Sequence, residues 1–256
     1  MSVSSQLKPL GWKPSLFIFL VMSAALYATH YIFAPSYQAA TRQPYLVGYL
    51  IGWGVSMALV LTASLVAYKL EARSFTWSAL SERFRLSRMD RSDWLWTLVV
   101  LLGTLGAYFG LAFTSHWLAA MPVFSPHLAF PDDMVTGKLI PGELFGMPLQ
   151  GQWWIAIIYL VGWLLNILGE EFWYRGWMLP RQELAFGKLA WLVNGLMFTF
   201  QHWLQPWNFL TILPGALLVV YVVQRQRNTW ITIIQHGLSN FILFGFVLLG
   251  VMGWKG

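Results

Sequence analysis

The sequence contains no cysteine and unusually little charge. The lack of cysteine excludes disulfides, thiolate nucleophiles and cysteine-ligated metals. Only 10% of the 256 residues are charged, whereas a soluble domain usually has about a quarter. Hydrophobic residues make up 57%, with 16 tryptophans and a mean hydropathy of +0.57. We therefore expect an all-α polytopic membrane protein, folded as one membrane domain over residues 1–256.

Seven apolar runs are candidates for membrane-spanning helices. A span needs roughly 17–25 apolar residues, and the fifth and sixth runs are the shortest of the seven. The runs cover residues 15–33, 45–68, 94–121, 153–179, 189–204, 209–223 and 229–254. The pattern predicts about seven transmembrane helices.

The basic residues predict the orientation of these helices. With the N-terminus inside, most of the 16 Lys and Arg residues fall in cytoplasmic segments, and only Arg42, Lys138 and Lys255 fall outside. This asymmetry is typical of membrane proteins and places the C-terminus outside. The net charge of +6 resides in loops between apolar runs, so anionic lipid headgroups on the cytoplasmic face are the expected partner, and nucleic acid is not.

Two loops have distinct compositions. The segment 71–93 is basic and amphipathic, which predicts a short helix lying in the cytoplasmic interface. The outer loop 122–151 is rich in Pro and Gly and carries Asp132, Asp133 and Glu143. We expect that loop to be irregular.

Three polar clusters interrupt the apolar runs of the last 90 or so residues. Ionisable residues inside a membrane are costly and are therefore candidates for a functional site. The clusters are Glu170, Glu171 and Arg175 in the fourth run, His202 in the fifth, and His236 with Asn240 in the seventh.

Helical spacing indicates how these residues relate. Glu171 and Arg175 are four residues apart, so they share a helix face and can form an ion pair. His236 and Asn240 have the same spacing and point the same way. Glu170 lies about 100° round the helix from Glu171 and has no local partner, which makes its burial the hardest to explain structurally.

Together these groups have a coherent chemistry. A poorly hydrated carboxylate beside a histidine can activate a water, and a second histidine with an asparagine amide can stabilise an oxyanion. The same atoms of Glu170, His202 and His236 could instead bind zinc. The sequence has no His-Glu-x-x-His helix, so a standard zincin is excluded. Taken singly, each group also has a structural explanation, as an ion pair, a packing histidine or an interhelical amide.

The three motifs resemble those of the CPBP family, the CAAX-processing and bacteriocin-processing membrane proteases formerly called Abi. The family pattern is EExxxR, FxxxH and HxxxN or HxxxD on successive membrane helices. Here the motifs read EEFWYR at 170–175, FTFQH at 198–202 and HGLSN at 236–240. The resemblance covers residues 150–245, which we take as the expected catalytic core.

The resemblance implies an intramembrane endopeptidase related to the type II CAAX prenyl endopeptidases, expected in the bacterial cytoplasmic membrane. It implies that Glu170 is the principal carboxylate, His202 its water-binding partner, and His236 with Asn240 the groups that polarise the carbonyl. Glu171 and Arg175 would be supporting residues. Both a zinc-dependent and a metal-free mechanism have been proposed for the family, and we expect the metal-free one here. The expected substrate is a peptide or protein at the membrane.

Two other functions fit the composition. One is a non-catalytic immunity or scaffold protein of the same fold, which an intact motif set disfavours. The other is a proton- or ion-coupled transporter that uses Glu170 and the histidines as a relay. No inverted repeat or pair of broken helices supports a transporter.

Overall fold

The computed structural model describes residues 7–71, 74–125 and 141–254. Its α-helices are α1 Trp12–Ala28, α2 Ala34–Thr41, α3 Tyr45–Leu70, α4 Trp77–Arg83, α5 Arg91–Gly110, α6 Ala112–Ala119, α7 Trp153–Glu170, α8 Leu179–Phe186, α9 Ala190–Gln201, α10 Phe209–Gln226 and α11 Trp230–Val251. π-helical segments occupy Thr29–Phe33 and Glu171–Met178, and 3₁₀ turns occupy Gly187–Leu189, His202–Leu204 and Pro206–Asn208. The predicted all-α class is confirmed.

Within the described residues, six helical stretches are long and apolar enough to cross a membrane. The longest, Trp153–Leu204, has 52 residues and contains both the fourth and the fifth predicted helices. The chain reverses within it at Gly187, whose φ of +56° suits a residue without a Cβ. The predicted count of about seven is therefore consistent with the structure, and the protein is an integral membrane protein. The orientation of its termini remains a prediction.

The outer loop is less irregular than expected. Strands Glu143–Leu144 (β1) and Met147–Pro148 (β2) pair in an antiparallel hairpin. Phe145 and Gly146 form its turn with φ values of 49° and 72°, the positive values that tight hairpins require. Asp132 and Asp133 lie outside the described residues.

A short helix forms in the loop that was predicted to contain one. The side chain of Thr76 caps α4 by accepting a hydrogen bond from the Ala79 N–H. Trp77 on this helix is 64% exposed, whereas Arg83 and Phe84 at its end are buried. The predicted helix is therefore present, with an exposed residue at its start and buried residues at its end. Its location in the cytoplasmic interface remains a prediction.

Close helix packing brings the polar clusters together. α7 packs along α3, α11 packs against α7 and α5, and α10 lies between α9 and α5. At Gly169 a Cβ would lie 3.0 Å from the Met57 carbonyl oxygen, so glycine lets the α3 backbone approach α7 one residue before Glu170. Elements distant in the chain therefore meet around the end of α7.

Candidate functional site

Glu170, the first residue of the EExxxR motif, ends α7, and the rest of the motif lies on a π-helical segment instead of a regular α-helix. The segment Glu171–Met178 follows α7 directly and continues into α8. Pro180 provides a physical reason for the change, because proline lacks an N–H and its ring clashes with the carbonyl four residues earlier. That carbonyl belongs to Gly176, inside the segment. Wider turns of this kind occur frequently at functional sites.

Glu171 is the best-connected carboxylate of the site. It is 1% exposed, and its Oε1 lies 2.8 Å from Nδ1 of His236. Its Oε2 accepts a hydrogen bond from the hydroxyl of Thr232 at 2.8 Å. The same oxygen lies 3.5 Å from Nε of Arg175, which is the ion pair expected from the i, i+4 spacing. Glu171 thus joins its own segment to α11.

Arg175 is buried in a partly apolar environment. It is 2% exposed, and its guanidinium carbon lies 4.1 Å from the ring centroid of Phe198. Nε and Nη1 make no hydrogen bond with the described residues. The positive charge is therefore stabilised by the carboxylate of Glu171 and by the ring of Phe198, the first residue of the FxxxH motif.

Glu170 is buried without a hydrogen-bonding partner among the described residues. It is 3% exposed and lies close enough to interact electrostatically with His236, Glu171 and Arg175. A buried carboxylate is usually paired or hydrogen-bonded, because its desolvation is otherwise uncompensated. The sequence indicates Glu170 for the same reason, and no hydrogen bond within residues 7–71, 74–125 and 141–254 explains its burial.

The remaining predicted residues approach the same region to different degrees. Nδ1 of His202 lies 2.9 Å from the Phe198 carbonyl oxygen, which leaves Nε2 as its free ring nitrogen, and the residue interacts electrostatically with His236 and Arg175. Asn240 lies one turn beyond His236 on α11, is half-buried, and makes no hydrogen bond with a described residue.

Glu170, His202 and His236 are the side chains that could bind zinc. Within the described ranges, no group of three His, Asp or Glu side chains is arranged to hold a metal ion. His236 Nδ1 is engaged with Glu171, and His202 Nδ1 with a backbone carbonyl. Glu170, His202 and His236 are therefore not grouped as metal ligands in this structure, and independence from metal stays a prediction.

Two residues of the site were not predicted. Thr232 donates to Glu171, and the amide nitrogen of Asn166 lies 3.4 Å from Nε2 of His236. Both follow a spacing that could have identified them, because Thr232 precedes His236 by four residues and Asn166 precedes Glu170 by four. Each therefore lies on the same helix face as a motif residue.

The segment that contains the candidate site residues is similar to a known protein family. The family model described as Type II CAAX prenyl endopeptidase Rce1-like matches residues 152–242. No curated protein and no solved structure matched the chain. The matched segment includes α7, the π-helical segment, His202 and the part of α11 that carries His236 and Asn240. Residues 152–242 are therefore similar to this protease family, and the family resemblance that the three motifs predict is confirmed over that segment.

Proposed function

We propose that this protein is an intramembrane endopeptidase that hydrolyses a peptide bond of a membrane-associated protein or peptide. The observation that carries the proposal is the burial of Glu170 without a hydrogen-bonding partner among the described residues, beside the guanidinium of Arg175 and the imidazole of His236, inside the matched segment. An unpaired carboxylate in such a place is costly, and its use as a catalytic base accounts for that cost.

In the proposed mechanism Glu170 accepts a proton from a water held by His202. The resulting hydroxide adds to the carbonyl carbon of the scissile bond, and negative charge develops on the carbonyl oxygen. The carbon–nitrogen bond then breaks as the proton on Glu170 passes to the departing amine. The free Nε2 of His202 supports its role in binding the water, since Nδ1 is already engaged.

His236 and Asn240 are proposed to stabilise the oxyanion. This role sets a condition on His236, because Nδ1 faces Glu171 and only Nε2 can reach a substrate. Nε2 must carry a proton in order to donate, so the ring must be doubly protonated while its Nδ1–H bonds to Glu171. Before substrate binds, Asn166 can accept this proton if its amide turns to present oxygen to Nε2, across the 3.4 Å that separates the two side chains, and the oxyanion would then replace Asn166 as the acceptor.

Glu171 and Arg175 are proposed as supporting residues. Glu171 orients the imidazole of His236 through a 2.8 Å contact, and Arg175 compensates the charge of Glu171 at 3.5 Å. Orientation of one catalytic group by a second, buried group is the usual requirement for a pre-organised site.

The test is cleavage by the purified protein in liposomes, with and without anionic lipid. The substrates are a membrane-protein fraction, read by mass spectrometry of new N-termini, and a prenylated CAAX peptide, chosen because the matched family is named for that activity. Wild type is compared with Glu170→Gln and with Glu82→Gln, a matched change at an exposed position. We expect new termini with wild type and Glu82→Gln only, and more of them with anionic lipid.

The alternatives give different results. If folded wild-type protein produces no more new N-termini than Glu170→Gln, the proposed endopeptidase function is refuted. A non-catalytic scaffold function would then explain the protein better. Ion flux that depends on Glu170, without cleavage, would favour a transporter. Cleavage of the prenylated peptide would define the substrate class, and cleavage of unprenylated membrane proteins alone would exclude prenyl recognition.

A further inference from the structure

The π-helical segment depends on a donor from outside its own helix. Because Pro180 has no N–H, the carbonyl of Gly176 lacks its ordinary α-helical donor four residues later. Arg83 supplies one, since its Nη1 donates to the Gly176 oxygen at 2.8 Å. Its Nη2 also reaches the carbonyl oxygen of Trp177 at 3.3 Å. The last turn of the segment is thus capped by a side chain from α4.

The partly buried carboxylate of Glu71 holds Arg83 in this position. Nε and Nη2 of Arg83 donate to the two oxygens of Glu71 at 2.7 and 2.9 Å. This two-pronged pairing fixes the guanidinium plane and leaves Nη1 directed at Gly176. The side chain of Arg83 is only 1% exposed, so water does not compete for these bonds.

Close packing adds a second constraint at the same place. Phe84 follows Arg83, is fully buried, and stacks on Phe172 with ring centroids 4.9 Å apart. A Cβ at Gly176 would lie 2.8 Å from the ring of Phe84, so this glycine is required for the approach. The α4 segment therefore contacts the π-helical segment near both of its ends.

We propose that Arg83 is a positioning residue for the candidate site. It acts through the carbonyls of Gly176 and Trp177, which directly follow Arg175, and so fixes the segment that presents Glu171 to His236. The structural part of this inference is independent of catalysis, whereas its effect on turnover rests on the proposed function. The conservative substitution Arg83→Lys would keep the charge beside Glu71 but lose the planar fork that reaches two carbonyls and a carboxylate.

The experiment compares Arg83→Gln and Arg83→Lys with a matched control, Arg85→Gln. Arg85 makes an equally short two-pronged ion pair at 2.6 Å, but with Glu183, beyond the π-helical segment. Hydrogen exchange of the purified protein in nanodiscs is measured by mass spectrometry over residues 168–181. We expect Arg83→Gln to raise exchange there at least about tenfold, Arg83→Lys to raise it less, and Arg85→Gln to leave it unchanged.

The second measurement is the rate of cleavage by the same variants, with the substrate that wild type cleaves best in the liposome assay. We expect kcat of Arg83→Gln to fall on the order of 10²-fold with KM little changed, because misplacement of catalytic groups acts on the chemical step. Unchanged exchange in folded Arg83 variants would overturn the proposal whether or not the protein is a peptidase. Raised exchange with unchanged kcat would overturn the positioning role. If wild type has no turnover, the proposed function fails while the exchange data still decide whether Arg83 holds the segment.

Discussion

The two adjacent glutamates should respond in opposite ways to the same substitution. Glu170→Gln removes a buried carboxylate that accepts no hydrogen bond from the described residues, so the free energy of unfolding should stay unchanged or rise. Glu171→Gln removes the charge that faces Arg175 and His236 and should destabilise the fold. Turnover should be abolished by Glu170→Gln even though the protein remains folded.

The size of the Glu171 effect follows from its contacts. Removing one partner of a buried ion pair costs about 3–5 kcal/mol, because the other charge is left uncompensated. Two features place the expected loss of stability in Glu171→Gln towards the lower end of this range. The glutamine oxygen can still accept from Thr232, and the Phe198 ring, 4.1 Å from the Arg175 guanidinium carbon, continues to stabilise the charge.

Thermal unfolding of the purified variants in detergent measures this difference. A double variant, Glu171→Gln with Arg175→Met, is the control, because it removes the charge that Glu171→Gln leaves unpaired. We expect it to recover most of the lost stability. Unfolding caused by Glu170→Gln, with Glu171→Gln affecting turnover alone, would reverse the two roles. No recovery in the double variant would show that the ion pair is not the origin of the loss.

Three further predictions concern pH, metal and access. Burial alone would raise the pKa of Glu71, but hydrogen bonds from Arg83 and Arg181 outweigh it and hold the pKa below the ordinary 4.5. Wild type should therefore be more stable than Glu71→Gln by the largest amount near neutral pH, and this difference should become smaller as pH falls below about 4.5. Thermal unfolding scans that show the same difference at every pH would contradict this prediction. Strong chelators should leave cleavage intact, and loss of activity with rescue by zinc alone would refute the metal-free mechanism. A cysteine at Ser239, which is only partly buried, should react with an impermeant thiol reagent from the cytoplasmic side of oriented vesicles; labelling only from outside would reverse the predicted access.

Much of the fold could be predicted because membrane spans are encoded by apolar length. Each of the seven runs corresponds to helix in the structure, and the fourth and fifth are joined in one stretch because Gly187 reverses the chain without a long loop. The π-helical segment was not predicted, although Pro180 gave the physical signal for it. Periodicity over eight residues does not distinguish 3.6 residues per turn from a wider helix.

The site was predicted where spacing along one helix carries the information. The pairing of Glu171 with Arg175 follows from their separation of four residues, and so does the common face of His236 and Asn240. The contact between Glu171 and His236 does not, because it depends on which helices become neighbours. The sequence places Arg83 in a basic, amphipathic segment and does not predict its burial, because the carboxylate of Glu71 that pairs with it lies 12 residues away in the chain.

The end of α9 has a consequence for the bilayer around it. Its 12 residues span about 18 Å, less than the roughly 30 Å of hydrocarbon, so α9 alone is too short to cross a bilayer, and the helix breaks into 3₁₀ turns at His202. Acyl chains cannot satisfy the backbone groups that such a break leaves open. The Leu204 carbonyl accepts a hydrogen bond from the Tyr31 hydroxyl at 2.8 Å, so α1 and its π-helical extension seal part of this break. Any other backbone group left open at this break must adjoin protein or water wherever the break lies within the bilayer.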